Sequence, residues 1–356
     1  MPVSDQTRVP VEDVRAALLE WYDTRARTLP WRAPPGSPTP TEPYRVWLSE
    51  VMLQQTTVPH ATPYFQRFVE AWPTVGELAA APDADVMAAW AGLGYYARAR
   101  NLLACARAVA SGHAGVFPDT EAGLLALPGV GAYTAAAVAA IAFDREANVV
   151  DGNVERVVAR LFAVETPVPA ARPELRRLAA TLLTDSRPGD WAQALMDLGA
   201  TVCRPRSPLC PVCPVNSWCR AYAVGEPDRY PLKTKKPERP RRSGFAYVLR
   251  DDAGRIALVR RPDKGLLGGM LGLPTSDWSA APTDTPPVEA DWEDAGAIEH
   301  VFTHFSLTLS VWVGSGAGDF EWTTEKAALA SLPTVFKKAL IRASAVRSGE
   351  TRPHPR

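Results

Sequence analysis

The sequence predicts two domains of different class: a mostly α-helical N-terminal domain and a smaller α/β domain after it. Three observations lead there. The chain has 356 residues, enough for two cores of ordinary size. Apolar residues recur at helical spacing from residue 11 to about 223, and alternate with period two beyond residue 244. Between these regimes, residues 224–243 combine Pro231, Pro237 and Pro240 with basic side chains, the composition of a linker. The reading is therefore a helical domain over 1–223, a linker over 224–243, an α/β domain over 244–345 and a flexible tail over 346–356.

The elements follow in order. Val11, Val14, Leu18 and Tyr22 share one helix face, and so do Trp47, Leu48, Val51 and Met52. Tyr95–Ala110 is rich in Ala, Leu and Arg, all strong helix formers. Ala132–Phe143 is nearly pure Ala, Val and Ile, which predicts a buried helix. Pro and Gly break the helical region at Ala33–Pro43 and at Pro167–Pro173. Beyond the linker, Phe245–Leu249 and Ile256–Val259 flank Asp251-Asp252-Ala253-Gly254, the pattern of a hairpin. Phe305–Val313 alternates as a half-buried strand does, and a short helix is expected near Thr334–Arg342.

Composition narrows the function classes. No run approaches the roughly 18 apolar residues of a membrane span, and MPVSDQTRVP has no apolar signal core. The expected location is cytoplasmic, on or near the nucleoid. Net charge is zero, but it is unevenly spread. Lys233, Lys235, Lys236, Arg239, Arg241 and Arg242 cluster around the linker, whereas Asp277–Glu325 holds acids with no Lys or Arg. The basic run reads equally as a solvated linker or as a contact for a polyanion.

Four of the five cysteines, Cys203, Cys210, Cys213 and Cys219, fall in the pattern C-x6-C-x2-C-x5-C. Disulfides fit poorly in a chain without a secretion signal. Structural zinc favours two tight pairs, and only Cys210 and Cys213 form one. Four thiolates on one loop also suit a [4Fe–4S] cluster, with one Cys per iron. Both metals stay open on spacing alone. Cys105, on an Ala-rich helix, reads as a small core residue.

Leu127-Pro128-Gly129-Val130-Gly131 joins two helical segments, Thr120–Ala126 and Ala132–Phe143, as a helix–hairpin–helix. Its glycines permit a tight turn, and the amides at the next helix N-terminus suit a DNA phosphate. An ordinary interhelical turn is the alternative. Two carboxylates complete the set. Glu50 lies among Leu48, Val51 and Met52 on a helix, where an apolar setting favours the neutral form. Asp151 precedes Gly152-Asn153-Val154 as a helix cap, where N–H bonds and the dipole favour the anion. An acid and an anion in one site are what glycosidic cleavage uses. Each carboxylate taken singly also fits an exposed Glu and a plain cap.

Taken together, these segments resemble the adenine DNA glycosylases of the MutY family, within the endonuclease III-like superfamily. The resemblance spans nearly the whole chain. It is carried by Leu29-Pro30-Trp31-Arg32, LSEVMLQQT from Leu48, GLGYYARARN from Gly92, LPGVGAYTA from Leu127, VDGNV from Val150, ALMDLG from Ala194 and the cysteine loop. It implies a [4Fe–4S] cluster on Cys203, Cys210, Cys213 and Cys219. It implies that Glu50 protonates the adenine and that Asp151 steadies the cationic sugar, with Tyr133 and Asn153 supporting them. Gln55 and Tyr95 are implied to wedge into the duplex, and Leu127, Gly129, Val130 and Gly131 to grip it. Trp31, Arg32 and Gln193 are implied to contact the base. The partner implied is double-stranded DNA with adenine opposite 8-oxoguanine or guanine, bound by a monomer. Superfamily members that also nick the strand carry a Lys after the hairpin. Tyr133 stands there, and no Lys occurs from residue 1 to 232, so a monofunctional enzyme is expected.

By the same resemblance, residues 244–345 form a Nudix-like domain. LLGGMLGLP from Leu266 matches its glycine-rich loop, and HVFTHF from His300 matches the hairpin that reads 8-oxoguanine through Phe302, Thr303 and His304. The family often has Phe-Ser-His there, so Thr303 adds a methyl group to the reading hydroxyl. A metal-binding Glu-rich Nudix helix is missing from the sequence, which speaks against pyrophosphatase activity. Two other readings remain at this level. One is a glycosylase/lyase for oxidised pyrimidines, and the other a non-catalytic iron–sulfur DNA-binding or redox protein.

Overall fold

Twelve helices make up the first part of the chain in the computed structural model, which describes residues 9–39, 41–234, 239–262, 265–302 and 304–347. They are α1 (Val11–Arg25), α2 (Pro43–Leu53), α3 (Val58–Ala71), α4 (Val75–Ala80), α5 (Asp83–Trp90), α6 (Tyr96–Gly112), α7 (Glu121–Leu125), α8 (Ala132–Phe143), α9 (Gly152–Phe162), α10 (Arg172–Ala180), α11 (Pro188–Asp197) and α12 (Arg220–Ala223). The chain divides into two units between Lys235 and Lys236. Among the described residues, no helix is long and apolar enough to cross a membrane.

The helical unit has two lobes. Helices α2 to α6 form one lobe, with α4 and α5 packed on α6 and α3 packed on α2 and α5, while α7 packs on α8. Helices α8 to α12 form the other lobe, and α1 joins it by packing on α11. The chain thus starts in one lobe, builds the other and returns. Helix α8 is the shared wall, because Thr134–Ala142 is buried throughout while α2 presses on it from the opposite lobe and α7 packs on it across the hairpin. Small Ala side chains allow this close approach from several sides.

Of the segment read as linker, residues 227–234 lie against the helical unit. Tyr230 is buried, and the Val168 amide donates to the Leu232 carbonyl at 2.8 Å. Residues 241–243 already belong to a strand. Residues 235–238 lie outside the described residues, as do most of the expected tail and the N-terminal segment before Val9.

The second unit is a mixed sheet of β1 (Arg241–Arg250), β2 (Ile256–Arg260), β3 (Leu271–Gly272), β4 (Glu293–Val301), β5 (Ser306–Ser315) and β6 (Glu321–Thr323). The order is β3-β2-β1-β5-β4, with β6 pairing β2. Helices α13 (Glu325–Ser331) and α14 (Thr334–Arg347) complete it, and α14 packs on β1, β4 and β5. The hairpin between β1 and β2 turns where the sequence places it. Asp251 Oδ1 accepts from the amides of Ala253 and Arg255, and Gly254 takes φ +74°. Strand β5 alternates, burying Leu307, Leu309 and Val311. Gly272 is required for packing, since a Cβ there would lie 2.7 Å from the Phe336 ring.

Candidate active site

Helix α2 ends in a short turn, α8 begins after the glycine hairpin, and α9 begins at a capped aspartate. These three ends, with the segment after α1 and one face of α11, enclose a cavity of about 670 Å³. Its lining includes Trp31, Arg32, Glu50, Gln55, Tyr133, Asp151, Asn153 and Gln193, eight residues singled out from the sequence. Tyr95, the hairpin backbone and the cysteines lie outside it.

Glu50 sits on α2 and is only 7% exposed. Burial pushes its carboxyl above the usual carboxylate range, and the charge of Asp151 adds to this. The Tyr133 hydroxyl and Arg32 pull the other way, and burial prevails. Tyr133 stands in the first turn of α8 beside Glu50, and its hydroxyl donates to Met196 Sδ at 3.4 Å. Burial and the nearby carboxyls raise its own phenol well above the ordinary value, so it is a neutral hydrogen-bonding group.

Asp151 caps α9 as expected. Its Oδ1 accepts from the amides of Asn153 and Val154 at 2.9 and 2.7 Å. Its Oδ2 accepts from the Asn153 side-chain amide at 2.8 Å. Asn153 is fixed in turn, because Arg156 donates to its Oδ1 at 2.9 Å and to the Gly199 carbonyl at 2.7 Å. The same guanidinium donates to the Cys203 carbonyl at 2.8 Å. A continuous set of hydrogen bonds therefore runs from the cysteine loop to Asp151. Gly199 lies in a π-helical turn, Leu198–Val202, that continues α11, and a Cβ there would come within 2.6 Å of Asn153 Cβ.

The base-side wall has a similar order. Gln193 donates its Nε2 to the Gly189 carbonyl at 3.2 Å, which fixes the amide. Among the described residues its buried Oε1 has no partner, so the cavity wall holds an unsatisfied acceptor. Trp31 is buried edge-on to Phe65, with ring centroids 5.2 Å apart. Arg32 donates to both oxygens of Asp197 at 2.8 Å, and Arg27 donates to Asp197 from its amide and guanidinium at 2.9 and 2.7 Å. Asp197 is fully buried. The sequence reading missed Asp197, Arg27 and Arg156. A lone carboxylate in the apolar string ALMDLG was a usable signal for the first, because a buried charge needs a partner. Arg27 and Arg156 carry no such mark in the sequence.

The hairpin turns at Gly129, with φ +72°, and a Cβ there would lie 2.6 Å from Asn101 Cβ on α6. Helix α8 then starts at Gly131 with no side-chain cap, leaving its first amides open to an external acceptor. Gln55 and Tyr95 are exposed and take φ +58° and +50°. In the second unit, β4 and β5 meet in a tight turn closed by the Phe302 amide on the Phe305 carbonyl at 2.9 Å. Phe302 is held among His300, Phe305 and Trp278, while His304 is exposed. Thr303 lies outside the described residues.

Cys203, Cys210, Cys213 and Cys219 line one small cavity with Arg160. Arg160 donates to Cys203 Sγ at 3.3 Å, and Cys219 Sγ lies 3.4 Å from the Arg160 carbonyl. Among the described residues, no three His, Cys, Asp or Glu side chains converge on one metal position. The donor set fits a thiolate-bound group, with a buried guanidinium to balance its negative charge. Cys105 is buried in the core of α6, as read.

A buried acid and a helix-capping carboxylate lining one cavity, beside a helix–hairpin–helix, define a DNA glycosylase of that superfamily. Residues 48–180 match the family described as HhH-GPD superfamily base excision DNA repair protein, and residues 245–342 match the NUDIX domain. The chain belongs to the adenine DNA glycosylase family. It is 37% identical over 363 residues to the adenine DNA glycosylase of Rattus norvegicus, covering 84% of this chain and 69% of that one. It is 40% identical over 301 residues to that of Arabidopsis thaliana, covering 74% of this chain and 47% of that one. It thus spans about half the length of the plant relative. A solved thermostable thymine-DNA glycosylase superposes with TM-score 0.54 at 29% identity, covering 60% of this chain and 97% of that one.

Proposed function

We propose that this chain hydrolyses the N-glycosidic bond of adenine mispaired with 8-oxoguanine or guanine in duplex DNA, leaving the strand intact. The observation that carries the reading is the pairing of a buried Glu50, its carboxyl pushed above the usual carboxylate range by burial, with an Asp151 carboxylate bound by three N–H donors in one cavity. Adenine leaves poorly as an anion. The Glu50 carboxyl donates its proton to a ring nitrogen of the base, and the bond to the sugar breaks with neutral adenine departing. The sugar becomes an oxocarbenium ion, which Asp151 steadies electrostatically. Water then adds to the sugar carbon and loses a proton. Tyr133 orients Glu50, and Asn153 orients Asp151.

Recognition follows from the same walls. The unpartnered Gln193 Oε1 accepts a hydrogen bond from the exocyclic amine of adenine, and Trp31 and Arg32 border the base. The base reaches this cavity only after leaving the stack. Gln55 and Tyr95 fill the gap, and the amides after Leu127, Gly129, Val130 and Gly131 hold the backbone. Phe302, Thr303 and His304 read the opposite base. The four cysteines would hold a [4Fe–4S] cluster, which would brace the loop they lie on. The protein acts as a monomer in the cytoplasm, on the nucleoid.

The test is base release from a duplex with adenine opposite 8-oxoguanine, with and without alkali. Strand breaks only after alkali are expected. Cutting at an oxidised pyrimidine without alkali, and none at adenine, would overturn the reading.

A further inference from the structure

Arg98 stands in the first turn of α6, the positive end of the helix dipole, where a cation is disfavoured. Its described partners explain the placement. One terminal nitrogen donates to the Val51 and Met52 carbonyls at 3.0 and 3.1 Å. These lie in the last turn of α2, immediately before the turn that carries Gln55. The other donates to the Leu93 and Gly94 carbonyls at 3.3 and 3.5 Å, immediately before Tyr95. The guanidinium face also lies 5.4 Å from the Trp90 ring and 5.5 Å from the Tyr95 ring. Trp90 braces the same loop by donating to the Gly94 carbonyl at 3.0 Å.

Both segments so joined end in a strained residue. Gln55 and Tyr95 are non-glycine residues in the left-handed region, and each is exposed. Such conformations persist only where the surroundings over-determine them. A planar fork with two donor arms does this for two segments at once, which a single ammonium does not.

We propose that Arg98 is a positioning residue that locks the Gln55 turn to the Tyr95 loop, so that the two side chains enter the duplex as one rigid fork. The inference rests on the reading of Gln55 and Tyr95 as the wedge. Arg98 touches neither the base nor the sugar. It acts on the step before chemistry, the extrusion of adenine from the stack.

The test uses the full chain and two substrates, adenine paired opposite 8-oxoguanine and adenine opposite an abasic site, which has no partner to unpair. Arg98→Lys and Arg98→Gln are compared with the unaltered protein under single-turnover conditions. Excision from the paired duplex is expected to slow about tenfold, the factor for freeing one strained residue. Excision opposite the abasic site is expected to fall much less. A double-mutant cycle of Arg98→Lys with Gln55→Ala is expected to be non-additive, because the fork once loosened has less to lose. Equal slowing on both substrates, or strict additivity, would show a general structural role and overturn the proposal. So would unchanged rates in both variants. Failure of the unaltered protein to release adenine from either duplex would instead overturn the glycosylase reading.

Discussion

At the scale of single residues, the site depends on two carboxyls in opposite environments. Glu50→Gln keeps the shape of the side chain and removes its proton, so excision is expected to fall about 10²–10⁴-fold while duplex binding persists, read by single-turnover rates and gel shift. As the proposed acid, Glu50 would act only while protonated, so the rate is expected to decline as pH climbs through its raised pKa. Stability follows the same direction. A carboxyl with a higher pKa in the folded chain contributes stability that is complete below its unfolded value and is lost as pH rises through the folded one. Glu50→Gln has no such loss, and a higher Tm than the parent on the alkaline side is expected. Asp151→Asn separates charge from capping. Asn caps about as well as Asp, so Tm is expected to hold while excision collapses. Gln193→Leu is expected to slow adenine release about 5–100-fold, the worth of one buried hydrogen bond, and to spare release of purine, which lacks the amine.

The residue scale also shows what the sequence disclosed. Asp151 was legible because capping is local, settled by the next three residues. The burial of Glu50 was legible from its apolar helical neighbours. Asp197 with Arg27 and Arg32, and Arg156 with the Cys203 carbonyl, were not. These partners lie far apart in sequence, and the contacts exist only once α1, α9 and α11 pack together.

At the scale of elements, helices were read well where periodicity was strong. Helix α8 has the boundaries expected of it, Ala132–Phe143. The π-helical turn after α11 had no sequence signal, yet it brings Gly199 onto Asn153. An inserted residue of this kind re-aims backbone at functional sites. Gly199→Ala is expected to displace the start of α9 and cost about 1–3 kcal/mol through overpacking. Excision is expected to fall further than duplex affinity, since Asn153 and Asp151 move while the hairpin does not. In the second unit the β1–β2 hairpin was legible from its turn residues. The parallel pairing of β1 with β5, Arg241 opposite Ser306 onward, was not, because no local rule sets a long-range parallel register.

At the scale of the whole molecule, two separate cores predict separable failures. Phe336 is fully buried in the second unit, beneath the sheet. Phe336→Ala is expected to destabilise that unit by about 3–5 kcal/mol. On the proposed reading the glycosidic bond is cut in the other unit, so single-turnover excision from an A:G duplex is expected to persist while preference for 8-oxoguanine is lost. The division into a helical and an α/β part was visible as a change of period in the sequence. The attachment of residues 227–234 to the helical unit was not, because a Pro-rich basic stretch carries no sign that Tyr230 is buried.

The lobes of the helical unit are not successive stretches of chain, and this bears on how the protein is made. Helix α1 leaves the ribosome long before its partner, α11, and the Arg27–Asp197 and Arg32–Asp197 pairs link residues far apart along the unit. The lobe of α2 to α6 can close while synthesis is still under way. The other lobe must wait for α11. Until then α1 presents the apolar face of Val14, Leu18 and Tyr22 without its partner, and the nascent chain is a client for holding chaperones. The candidate cavity, built where the lobes meet, is therefore completed late in translation of the unit.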